Sequence, residues 1–230
     1  MEDRRAVFQA SSPCIPHYLL WARRNTLITL VIRLENYLQN YANLCYMALR
    51  FSEAKATQAA GFFLKLRGGQ MHYIKLIKLL YLADREALIR WGLPFTTDRH
   101  VSMDHGPVVS GILNLITDDR PKPVWSKYIS APLGEYEVRL LHEAPTDLLS
   151  KAEEALMTEI FEKYGHRNRW DLIDNVMHKL PEWRNPSGTA IPISIREILE
   201  AEGEEDSDIR AIIKEIYSVA KSEEILSSVG

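Results

Sequence analysis

The stretch Met71–Trp91, MHYIKLIKLLYLADREALIRW, decides the fold. Its apolar residues Tyr73, Ile74, Leu76, Ile77, Leu79, Leu80, Tyr81 and Leu82 cover most of a helical circumference, the pattern of a helix buried on nearly all sides. It reads as the central helix of one domain. Gly92 is placed as its C′ residue, and Pro94 blocks continuation.

Upstream, Ser52 caps a helix that carries Ala56, Ala59, Ala60 and Phe63 on one face, and Gly68-Gly69 stops it. Downstream, Phe95 to Met103 is polar with a turn signal at Thr96-Thr97-Asp98, which fits an extended loop or short strand. Gly106-Pro107 then opens a helix with proline at its first position and Val108, Ile112, Leu115 and Ile116 facing inward. The segments Val124–Ser130 and Tyr136–His142 are rich in β-branched and aromatic residues, and Pro132-Leu133-Gly134-Glu135 joins them with turn chemistry. They predict one antiparallel hairpin.

Further helices are expected from Thr146 to Gly165, with Leu149, Ala152, Leu156 and Ile160 on one face, and from the Asn168 cap to Pro181, with Trp170, Ile173, Val176 and Met177. A capping box of Ser194 and Glu197 starts a short helix that Gly203 stops, and Ser207 to Lys221 forms the last. The expected class is α+β, mainly α-helical: a single helical domain with one small antiparallel β-hairpin.

Composition is that of an ordinary globular chain, 46% hydrophobic and 26% charged over 230 residues. The net charge of −3 is unevenly spread: residues before Met47 hold five arginines against three acidic residues, while Met47 to Gly230 holds 23 basic and 28 acidic. An acidic body has no basic stripe for neutralising phosphates, and no DNA-binding helix pair is recognisable, so no direct nucleic-acid contact is expected. Cys14 and Cys45 both precede Met47, and the first lysine is Lys55. Residues 1–46 therefore read as an N-terminal extension, either a loosely attached helix or a translated upstream region with the native start at Met47, and residues 47–230 as the domain. The body's lack of cysteine suits a reducing cytoplasm. The apolar run Leu27–Ile32 is broken by Arg33 and far shorter than the roughly 20 residues of a membrane span, so no membrane partner is expected.

Chemistry has few candidates. His100, Asp104 and His105, with His142 if the hairpin folds back, invite a metal site, but no ligand pair at helical spacing supports them, and loop histidines are more often solvated or bound to backbone. Asp84, Arg85 and Glu86 fit salt bridges or solvent better than acid–base catalysis. With no GxSxG, P-loop or GxGxxG pattern, neither an enzyme nor a cofactor is expected. Lys75, Lys78 and Arg85 share a helix face, as a solvated strip or a surface for an acidic partner. Trp91, Trp125, Trp170 and Trp183 read as core or cap residues, any exposed one being a natural interface anchor. The N–H groups after Gly106-Pro107 could receive an anion, although a rigid corner docking the next helix on the central one is the favoured reading.

Three runs together resemble the Panacea domain of SocA-like antitoxins: Ile74-Lys75-Leu76-Ile77-Lys78-Leu79-Leu80-Tyr81-Leu82-Ala83-Asp84, Val101-Ser102-Met103-Asp104-His105-Gly106-Pro107-Val108-Val109, and His178-Lys179-Leu180-Pro181-Glu182-Trp183. The likeness covers roughly Phe51 to Trp183. Many members have an aromatic residue before Gly-Pro, where this chain has His105. The resemblance implies a non-enzymatic cytoplasmic protein of a prokaryote or phage that binds and neutralises a toxin encoded nearby. The alternatives are a proteolytic adaptor delivering a bound partner to a AAA+ protease, with the polar tail from Ser222 to Gly230 as tether, and a metal-dependent enzyme using the His100/His105 region. As toxin-binding or motif-scaffold positions the resemblance singles out Lys75, Lys78, Tyr81 and Arg85, on the side of the central helix expected to be exposed, together with His105, Gly106, Pro107, His178 and Trp183.

Overall fold

The computed structural model describes residues 50–134 and 136–229, so the 1–46 extension, the Met47 boundary and Glu135 of the turn lie outside the described residues. Helix α1, Glu53–Leu66, is capped as its sequence predicts: the Ser52 side chain accepts from the Lys55 N–H, and Ala56, Ala59, Ala60 and Phe63 are buried. Gly68 and Gly69 take φ of 90° and 97°, conformations open chiefly to glycine, and turn the chain into β1, Gln70–His72.

The central helix α2, Tyr73–Trp91, starts two residues later than expected. The reason is pairing. Met71 is drawn into an antiparallel ladder opposite Val138, and both side chains are buried. From Leu76 to Asp84 every residue of α2 is at most 5% exposed. Burial of each large aliphatic side chain contributes about 2 kcal/mol, so this one run anchors the core. Gly92, at φ 71°, ends α2 as expected, its N–H donating to the Leu88 carbonyl.

After α2 the chain forms β2, His100–Ser102, and β3, Val108–Val109, and only then α3, Ser110–Thr117. The helix expected to open at Pro107 is thus displaced. Val108 and Val109 are β-branched and pair with Val101 and His100 across an antiparallel ladder instead of entering a helix. The first turn of α3 is capped from a distance, the Asp98 carboxylate accepting the N–H groups of Gly111 and Ile112 at 2.7 and 2.8 Å.

The hairpin expected between 124–130 and 136–142 is also corrected. Trp125–Tyr128 is a short helix, α4, whose tryptophan is buried, and β4, Glu137–Arg139, pairs with β1. The chain does turn back on itself where expected, through antiparallel bridges at Ile129–Leu140 and Leu133–Glu137, but no continuous two-stranded ladder joins the two segments. The capping box of Ser150 and Glu153 starts α5, Lys151–Tyr164, later than Thr146, and leaves Ala152 exposed. Asn168 caps α6, Arg169–Asn175, and the expected run to Pro181 breaks into a 3-10 turn at Met177–Lys179. Strand β5, Ile191–Ile193, had no expected counterpart; it pairs with β2. The predicted capping box opens α7, Ile195–Ala201, and α8 runs Asp206–Val229, through most of the stretch expected to be a flexible tail.

The architecture is mainly helical α+β, with eight α-helices, a two-stranded and a three-stranded antiparallel sheet among the described residues. Within those residues no helix is long and apolar enough to cross a membrane.

Candidate functional site

On α2, Lys75, Lys78, Tyr81 and Arg85 recur at helical spacing and share a face. That face is inside: the four are 6, 1, 0 and 7% exposed, which overturns the expectation of a solvated strip. Each polar head finds a partner in a distant segment, which offsets the cost of burying it. Lys75 Nζ donates to the carbonyls of Gly165 and Arg167, the latter at 2.6 Å, and so holds the loop after α5. Lys78 Nζ donates to the carbonyls of Gly106 and Pro107, both at 2.8 Å. Tyr81 Oη donates to Glu182 Oε1 at 2.8 Å, and Arg85 Nε donates to the same oxygen at 2.7 Å while Nη2 reaches Glu202.

Burial sets the electrostatics of this spine. It lowers the Lys78 amine to about 7, and it lowers Lys75 with help from the neighbouring Arg67 charge. Tyr81 is pushed well above its ordinary value, first by burial and then by the Glu182 charge. Burial opposes the Arg85 charge, but its bonds to Glu182 and Glu202 outweigh that and hold the guanidinium above its ordinary value.

The turn pinned by Lys78 needs its glycine. Gly106 has φ 87°, donates its N–H to the Met103 carbonyl, and packs so closely that an added Cβ would lie 2.6 Å from Met177 Cβ. The 177–183 segment holds the turn from the other side. His178 Nε2 lies 3.0 Å from the Asp104 carbonyl, Trp183 Nε1 donates to the Met103 carbonyl at 3.0 Å, and the two rings stack at 4.2 Å. His105 alone among the singled-out positions is exposed, its ring edge-on to Trp170 at 5.7 Å.

A second buried network escaped the sequence reading. Asp84 accepts from the Thr96 N–H and hydroxyl, and His100 Nε2 lies 3.1 Å from the same carboxylate, so His100 is a core residue rather than a solvated one. Among the described residues no group of three His, Cys, Asp or Glu side chains could hold a metal ion. At the start of the helix after Gly106-Pro107, the N–H groups of Gly111 and Ile112 are taken up by the chain's own Asp98 carboxylate. Glu182, the acceptor shared by Tyr81 and Arg85, sits in a quoted motif but was not singled out; nothing local marks it as buried.

Residues 76–184 match the family model described as antitoxin SocA-like, Panacea domain. The match spans a little under half of the chain. No curated protein and no solved structure matches the chain. The matched segment holds Lys78, Tyr81, Arg85, the Gly106 turn and Glu182, while Lys75 lies one residue before it. The three runs that carried the resemblance therefore meet in space, as one helix, the turn it pins, and the segment that closes over both.

Proposed function

We propose that this chain is an antitoxin that binds a toxin encoded beside it and neutralises it by complex formation in the cytoplasm, without catalysis. The observation that carries this reading is the match of residues 76–184 to the SocA-like antitoxin domain. The geometry supports it from a second direction. Lys75, Lys78, Tyr81 and Arg85, the polar groups nearest the motif, are committed to internal hydrogen bonds. They make a scaffold, and a preorganised scaffold loses little conformational entropy on binding. The tether invoked for a proteolytic adaptor is helical to Val229, so nothing observed favours that alternative.

The test is growth. One neighbouring reading frame expressed alone should arrest it, and co-expression of this chain should restore it. Gly106→Val, which cannot pack against Met177, should not restore it. If no neighbouring frame is toxic, or if Gly106→Val rescues as well as wild type, the reading fails.

A further inference from the structure

We propose that the bound protein docks on the cleft beside Trp170, presenting carboxylates next to an apolar side chain. The inference rests on the antitoxin reading and names the surface that serves it. The cleft, about 660 Å³, is lined by Arg67, Lys75, Arg167, Arg169 and Trp170, with Glu137 as its carboxylate. Four cations thus face one acid, in a body whose overall charge is negative.

The charges are also unspent. Arg85, Arg90, Arg120, Arg184, Arg196 and Arg210 each hold a carboxylate, whereas among the described residues Arg67 and Arg169, like Arg50, Arg99 and Arg139, form no ion pair. Lys75 spends its donors on neutral carbonyls, which leaves its charge uncompensated. Arg167 alone of the four has an acidic partner, Asp171 at 2.9 Å.

Beside these cations stand large aromatic surfaces. Trp170 is 50% exposed with Arg169 over its ring, and Tyr136, 58% exposed, packs against His72 and Tyr73. Tryptophan, tyrosine and arginine are the residues that dominate interface hot spots, where an apolar plug excludes water and strengthens the charge pairs around it. The rim is preorganised, since Lys75 fixes the loop that carries Arg167 and the positive-φ pair Gly68-Gly69 fixes the turn beside Arg67.

Charge complementarity selects the occupant. Nucleic acid needs a track of cations along its backbone, and this is a compact cluster on an acidic body. The chain's own residues 1–46 carry five arginines against three acids and match the cleft poorly. A protein bearing carboxylates fits.

The test uses the full chain and the toxin that wild type neutralises. Arg67→Glu/Arg169→Glu reverses two unpaired charges, and a glutamate in the first turn of α6 is favourable to that helix, so the melting temperature should stay near wild type. The Kd for the toxin, by titration calorimetry, should rise roughly a hundredfold, growth rescue should be lost, and Trp170→Ala should raise the Kd about tenfold. Rescue and Kd within about twofold of wild type for both folded variants would overturn the surface. So would charge reversals that leave toxin binding intact but release a random-sequence oligonucleotide, or that split a wild-type dimer in sedimentation. Failure of wild type to neutralise any neighbouring product overturns the antitoxin reading itself, a result that the variants do not mimic.

Discussion

Lys78 is a full-length lysine sealed in the core with no carboxylate against it, and its amine loses its proton near pH 7. In the unfolded chain the same amine keeps its proton to about pH 10.4. Between those values the unfolded state binds the extra proton, so this group's contribution to stability falls as pH drops from about 10 to about 7 and stays at its lowest below that. Lys78→Met keeps the length and removes both the titration and the bonds to Gly106 and Pro107. Wild type should exceed it by about 1–3 kcal/mol at pH 9.5 and by less at pH 7.5, in urea melts at both values; parallel pH curves would refute the assignment. Glu182 gives the complementary case. Glu182→Ala strands the buried Arg85 and Tyr81 heads and should cost about 3–5 kcal/mol, while Glu182→Gln, which still accepts one bond, should cost distinctly less by the same melts.

At the scale of elements, what was legible is what is local. The Ser52 and Asn168 caps, the Ser194–Glu197 box and the Gly92 stop are each written within a few residues of the helix end they set, and each matched. Val108-Val109 departs from the helix its sequence predicts because its conformation is decided by β2, and the 124–142 reversal forms only isolated bridges because β4 pairs with β1 more than 60 residues upstream. The same boundary runs through the site. The motif positions were readable as a set, but their burial was not, because the acceptor that makes Tyr81 and Arg85 tolerable inside is Glu182, 101 and 97 positions away. Asp98 is another such non-local device. Asp98→Ala removes the acceptor for two N–H groups at the start of α3 and should destabilise by about 1–2 kcal/mol, read as a lower urea midpoint at unchanged slope.

For the molecule as a whole, burial forecasts where structure opens first. Residues 76–84 are sealed on all sides, so their amides should exchange with deuterium only through global unfolding. In α8, Ile209, Ile216 and Ala220 are buried but Ile225 and Leu226 are 55 and 75% exposed. Amides beyond Ala220 should therefore exchange orders of magnitude faster than those of the central helix; equal protection in mass-resolved exchange would contradict this packing.

The ties from α2 also carry a kinetic consequence. They close loops of 28, 90, 97, 101 and 117 residues, and such closures are entropically costly until the apolar framework has already assembled. The side-chain bonds of α2 are therefore expected to form after the apolar framework around it. Weakening a tie, as in Tyr81→Phe, should leave the refolding rate near wild type and appear almost wholly as faster unfolding. The lifetime of the native state, rather than the speed of reaching it, is what the buried spine sets.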